Sequence, residues 1–311
     1  MKPATIPARR GTLMSGLVAL LLASCATIVP GTLRDTDHPL AGRLWDTSVQ
    51  GFIDDAELLR RAAGADAVLL GEIHDNPEHH RLQARLLQAR IDAGARPALL
   101  MEQFDIDQQS ALDEARRSSR DLAPLMHGWE WPQYQPLVAL AATAGLTLQA
   151  ANLPRASARP VVREGFASMA AGELRRLALE TTWNDDRQSY MTEVIGASHC
   201  GMVTPQLRDG LVRAQRLRDA TLADAALDRI DQGVVFILGR GHARRDVGVP
   251  LYLAARRPGT RVLSIGFVEV GAGKTAPAQY ETERVGNIAP YDIIWFTPRA
   301  ERADPCLAFR K

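Results

Sequence analysis

Glu72 and His74 stand two residues apart just after the apolar run Ala67-Val68-Leu69-Leu70, and Glu102 closes a second run, Ala98-Leu99-Leu100-Met101. His242 lies in Gly239-Arg240-Gly241-His242, directly after Val234-Val235-Phe236-Ile237-Leu238. Two carboxylates and two imidazoles form a donor set for a divalent ion such as Mn, Fe or Zn. Singly, each has a plainer reading, such as a helix-start acid or a turn histidine. Their shared place past the ends of apolar runs is the stronger sign, and Asn152 repeats it after Leu146-Thr147-Leu148-Gln149-Ala150. His79 and His80 follow on adjacent helix positions, which point about 100° apart, so one of them is expected to be structural. The chain has no Gly-x-Ser-x-Gly elbow and no His-Glu-x-x-His. Gly-Arg-Gly also lacks the Lys-Ser/Thr end of a phosphate loop.

A second cluster is aromatic. His127-Gly128-Trp129-Glu130-Trp131-Pro132-Gln133-Tyr134 holds two of the five tryptophans and one of the five tyrosines. It reads either as a loop anchored in the core or as a wall for a large, flat, apolar ligand.

The apolar runs that precede these residues are short and uninterrupted, as in strands buried on both faces. Asp75-Asn76-Pro77-Glu78 opens a helix expected to stop at Gly94. Helical spacing also follows Asp107, fills Gln135 to Ala144, and resumes at Gly248-Val249-Pro250. Val262 to Ile265 reads as a fifth strand and Ile293 to Phe296 as a sixth, on an edge. Residues 156–232 have helical spacing and no strand. The alternation predicts an α/β fold: a mostly parallel central sheet flanked by helices, with an inserted helical layer at about 156–232. In such a sheet ligands bind outside the carboxyl ends of the strands, where Glu72, His74, Glu102, Asn152 and His242 all fall.

The N-terminus has Lys2, Arg9 and Arg10, then the apolar stretch Leu13 to Leu22, then Leu22-Ala23-Ser24-Cys25. That stretch is too short to span a bilayer, which needs roughly 20 residues, and fits a signal peptide. Residues 1–24 are therefore expected to be a signal peptide and Cys25 the lipidated residue. Ala26, rather than an aspartate, favours the outer membrane. Residues 25–50 read as a tether and 51–311 as a single domain. The net charge is +1, which gives no basis for a nucleic-acid partner. In an oxidising compartment Cys200 and Cys306 are expected to form a disulfide. The competing reading is a free thiol or metal ligand at Cys200 beside His199.

Several segments together resemble the ChaN family, haem-binding iron-regulated lipoproteins of the Tiki superfamily. They are Leu70-Gly71-Glu72-Ile73-His74-Asp75-Asn76 with His79, His80 and Gln83; Leu100-Met101-Glu102-Gln103-Phe104; Trp131 through Tyr134 to Leu137; Ala150-Ala151-Asn152; His199-Cys200-Gly201; Ala214 to Ala220; and Gly239 to Arg244 with Gly248-Val249-Pro250. Gln103 stands where the family usually has methionine. The resemblance implies an outer-membrane anchor, a part in haem or iron acquisition alongside a haem receptor, and a homodimer enclosing haem. Other Tiki relatives are metal-dependent hydrolases, whose sites use the positions matched by Gly71, His74 and Glu102. Three functions stay open: a haem carrier or store, a divalent-metal hydrolase using Glu72, His74, Glu102 and His242, and a structural lipoprotein with a relict site. For haem, a tyrosine and a histidine are the expected ligands, since ferric iron suits a phenolate. Tyr134 comes first, with Trp129 and Trp131 beside it on the porphyrin face and Tyr190 in reserve; His199 stands opposite, with His79 or His80 as alternatives, and the plainer reading of Tyr134 is a core residue.

Overall fold

The computed structural model describes residues 32–126, 128–281, 284–304 and 306–307. The expected signal peptide, Cys25 and His127 lie outside them. In chain order the strands are β1 (Leu33–Arg34), β2 (Leu44–Asp46), β3 (Gly51–Ile53), β4 (Ala67–Glu72), β5 (Ala98–Asp105), β6 (Leu148–Asn152), β7 (Val234–Gly239), β8 (Val262–Glu269), β9 (Ile293–Thr297) and β10 (Arg299–Ala300). The helices are α1 (Asp55–Gly64), α2 (Pro77–Asp92), α3 (Gln109–Arg117), α4 (Trp131–Thr143), α5 (Arg155–Glu164), α6 (Ala171–Arg176), α7 (Asp185–Ser198), α8 (Pro205–Leu227), α9 (Arg240–Ala243) and α10 (Val249–Arg256). Among the described residues no helix is long and apolar enough to cross a membrane.

Eight strands form one sheet in the order β3-β2-β9-β8-β4-β7-β5-β6. Pairing is parallel from β9 to β6, and β2 runs antiparallel to both β3 and β9. Every residue of β4 and β7 is buried, which is why both read as continuous apolar runs. Alternate residues serve opposite layers. Ala67, Leu69, Val234 and Phe236 pack toward α5, α8 and α10. Val68, Leu70, Val235 and Ile237 pack toward α1, α2, α3 and α4.

Helix α2 shows how local sequence sets an element. Asn76 caps it, accepting from the Glu78 amide at 2.9 Å, with Pro77 in the first turn and Gly94 past the end at φ +85°. Leu86 and Leu87 are buried against the sheet, each stabilising the docking by roughly 1.5–3 kcal/mol.

The expected strands are present, and the inserted helical layer is α5 to α8. Two expectations are corrected. Residues 32–50 are not a tether: β2 adds to the sheet there, and Leu40 and Leu44 are each 3% exposed in the core. β9 is not an edge strand, because β2 covers its outer side.

The connections decide where a site can form. β4 leads to α2 on one face, whereas its neighbour β7 leads to α9 and α10 on the other. Between their carboxyl ends the chain diverges and leaves a crevice, the usual ligand position in such sheets.

Candidate functional site

Glu72 ends β4 in that crevice and is fully buried as a side chain. Its Oε1 accepts from Tyr134 OH at 2.6 Å, Gln103 Nε2 at 3.0 Å and His74 Nδ1 at 2.9 Å. Its Oε2 accepts from Gln83 Nε2 at 2.7 Å and faces His80 Nδ1 at 3.3 Å. Burial alone would raise its pKa, but His74 and His80 outweigh that and hold it below the usual carboxylate range. His80 Nε2 also donates to the His74 carbonyl at 3.0 Å. Both its nitrogens thus face acceptors, and its pKa is raised: burial opposes the charge and the Glu72 contact prevails. His79 behaves in the opposite way. Its Nδ1 accepts from the Ile73 amide at 2.9 Å and its Nε2 meets Thr297 Oγ1 at 2.8 Å. Burial drives its pKa down to about 3, so it is the structural member of the pair.

Glu102 on β5 is buried beside Gly239, whose amide donates to Oε2 at 2.6 Å. His242 on α9 faces Glu102 Oε1 with Nε2 at 3.4 Å and Asp219 Oδ1 with Nδ1 at 2.6 Å. Burial disfavours charge on that ring, yet two carboxylates raise its pKa to about 10. Glu102 falls to about 2, burial again being the opposing effect. The Gln215 amide lies 3.1–3.2 Å from both His242 nitrogens, and its Oε1 accepts from Arg218 Nη1 at 3.1 Å. Arg218 Nε donates to Asn152 Oδ1 at 3.1 Å, which ties the end of β6 to the group. A Cβ at Gly239 would stand 3.0 Å from His74 Nε2 and 3.5 Å from Glu102 Oε2, so the glycine lets the two clusters meet.

The five rim residues thus come together. They do so as carboxylate–imidazolium pairs, and the metal shell of Glu72, His74, Glu102 and His242 is corrected accordingly. Among the described residues no group of three or more His, Cys, Asp or Glu could hold a metal ion. A ligating imidazole must be neutral, whereas His242 sits between Asp219 and Glu102 and His74 turns Nδ1 to Glu72. Only His74 is accessible, with 42% of its side chain exposed. Asp219, Gln83 and Gln103 lie in the segments that carry the family resemblance, but the sequence reading gave them no place in the site. An acid on the alanine-rich buried face of α8 was the signal for Asp219.

The haem ligands expected from sequence are corrected too. Tyr134 is 1% exposed, and burial followed by the Glu72 charge pushes its phenol pKa far upward, so no phenolate reaches an external iron. Trp129 and Trp131 do not form one wall. Trp129 packs edge-on against His74 at 4.7 Å, while Trp131 lines a separate cavity of about 600 Å³ between α3 and α4. His199 is exposed at the end of α7, in the layer on the far side of the sheet from Tyr134, with Nδ1 donating to the Ile195 carbonyl at 2.8 Å. The two residues of one chain cannot grip the same haem. Next to His199, Cys200 is disulfide-bonded to Cys306, so Cys200 is neither a free thiol nor a metal ligand.

Beside the crevice, past the ends of β7 and β8, lies a half-open cavity of about 390 Å³. Tyr190, Tyr280, Tyr291, Arg240, Arg244 and Lys274 line it. Tyr280 OH donates to the Lys274 carbonyl at 2.9 Å and Tyr291 OH to the Arg240 carbonyl at 3.0 Å. Half-buried Tyr190 has the Arg244 guanidinium over its ring at 4.4 Å. The 600 Å³ cavity is larger, but its arginines are engaged: Arg116 donates to the Leu146 carbonyl and Arg120 pairs with Glu114.

Sheet, crevice and flanking cavity define a doubly wound α/β protein with a ligand region at its strand ends. The chain belongs to the haem-binding uptake family ChaN of the Tiki superfamily, whose family model matches residues 58–253. Its structure is similar to that of ChaN of Campylobacter jejuni, described with cofacial haem binding. The TM-score is 0.66 and the identity 19%, over 81% of this chain and 95% of that one. An erythromycin esterase variant in its open conformation is similar at TM-score 0.47 and 13% identity, over 84% of this chain and 99% of that one. No curated protein sequence matches the chain.

Proposed function

We propose that this protein is a haem carrier or store of the cell envelope, lipid-anchored at Cys25 in the outer membrane and serving haem or iron uptake as a dimer. Family membership supports haem as the cargo. The observation that carries the reading is the 390 Å³ cavity, which combines aromatic walls with a tyrosine in reach of a bound ring. Tyr190 takes the place first given to Tyr134. Tyr190, on α7, stands in the cavity wall with the Arg244 guanidinium over its ring at 4.4 Å. His199, whose Nδ1–H is held by a carbonyl, offers its Nε2 lone pair outward and suits a ligand supplied by a second copy. Hemin titration followed by absorbance tests this. Tyr190→Phe should weaken binding and remove a phenolate-to-iron charge-transfer band, while Tyr134→Phe should leave both unchanged. An unchanged spectrum in Tyr190→Phe sinks the assignment.

A second reading, hydrolysis at the crevice, is supported by one observation. His74 is half-exposed and held by buried Glu72, in position to donate a proton to a bound ester. Ester turnover that persists with chelator and is lost in His74→Gln would favour it.

A further inference from the structure

The cavity beside the crevice is lined by two cations that the fold does not use. Arg240, exposed at the start of α9, and Lys274, exposed in the segment after β8, have no ion-pair partner among the described residues. Lys274 Nζ lies 5.5 Å from the Tyr280 ring, which holds the ammonium near the mouth. The neighbouring charges are already matched. Arg244 makes a two-pronged contact with Asp246 at 2.6 and 2.9 Å, and Glu269 meets Arg302 at 2.6 and 2.7 Å and Asn76 at 2.7 Å. Among the described residues the surplus charge of this cavity is therefore positive, and it comes from two side chains of different reach on different segments.

From this we infer that Arg240 and Lys274 form a carboxylate clamp, and that the cavity selects tetrapyrroles bearing free acid side chains. The inference rests on the haem reading above and deepens it. A planar guanidinium grips a carboxylate through two parallel N–H bonds, while an ammonium on a flexible stem adapts to a second one. Tyr190, on α7, lines another wall of the cavity, where the haem reading places the iron. The arrangement separates two tasks. The cations set affinity and orientation of the ring edge, and the tyrosine sets the electronic state of the metal.

The test is a titration of the full-length chain with hemin and with hemin dimethyl ester, whose acid groups are blocked. Variants are Arg240→Gln, Lys274→Gln, the double variant and the charge-conserving Arg240→Lys. Each lost charge should weaken hemin binding roughly tenfold or more, as expected for a charge-assisted hydrogen bond. The absorbance spectrum of the bound form should not change. The diester should bind the wild type and the double variant within about twofold of each other, on the scale of a lost rim contact. Arg240→Lys should keep most of the affinity. If the wild type binds hemin and its diester equally, or if both Gln variants match the wild type, the clamp is wrong while haem binding stands. If the wild type binds no hemin, the haem reading falls and the clamp with it.

Discussion

Asp219 Oδ1 lies 2.6 Å from His242 Nδ1, both groups buried, with Glu102 facing the other ring nitrogen. This sandwich fixes the ring as an imidazolium whose pKa is raised from 6.5 to about 10, burial opposing and the two carboxylates prevailing. Below pH 6.5 the folded and unfolded chains are both protonated there, and the stabilisation is complete. As pH rises further the unfolded chain loses a proton that the folded chain keeps, so stability declines until about pH 10. Denaturant unfolding at pH 7 and 9.5 should show this loss in the wild type. His242→Gln should reduce the slope, leaving the part due to His74 and His80, and cost about 3–5 kcal/mol at neutral pH, because it leaves two buried carboxylates without their imidazolium. A His242 resonance titrating near 6.5 would contradict the sandwich.

Gly71 is where β4 meets α9. A Cβ there would stand 2.6 Å from Ala243 Cβ and 2.9 Å from Arg240 Cα. Backbone cannot yield as a side-chain tip can, so Gly71→Ala should destabilise by about 1–3 kcal/mol or more. Adding Ala243→Gly should recover only part of that, since the Arg240 contact remains. A thermal melt of Gly71→Ala equal to wild type would disprove the close approach.

The Cys200–Cys306 bond closes a sequence separation of 106 residues. In the chain-entropy account a loop of that size is worth about 4–5 kcal/mol. Reduction, or Cys200→Ser, should lower the melting temperature by several degrees. Thiol labelling of the unfolded, unreduced chain should leave both residues unmodified; labelling of both would refute the bond.

Cys25 is the expected lipid anchor. Cys25→Ser should leave the chain uncleaved at that site or move it out of the membrane fraction. Unchanged processing together with unchanged partition would remove the anchor from the proposal.

Much of the sheet was readable because β4, β5 and β7 are uninterrupted apolar runs bounded by glycine or polar residues. β2 and β3 were not, since three-residue strands among turn residues carry no period. Without β2, β9 naturally looked like an edge. Glu72, His74, Glu102 and His242 were legible because strand ends share a rim. Asp219 was hidden inside a helix, where an acid usually faces water. Tyr134 misled for a related reason: neighbouring tryptophans mark an aromatic segment, and its pattern does not say which ring turns inward. Tyr190, Tyr280 and Tyr291 meet only in the folded chain, from three segments with no shared motif.

The central strand has a further consequence, one of timing. β4 pairs only with β7 and β8, and β7 begins at Val234, far along the chain from Glu72. Until that distant stretch has been synthesised, the middle of the sheet has no neighbour, and pairings of such long range form slowly. A nascent chain built this way postpones its own completion. For a protein proposed to leave the cytoplasm, that delay would keep the polypeptide threadable, with the crevice to be assembled after export.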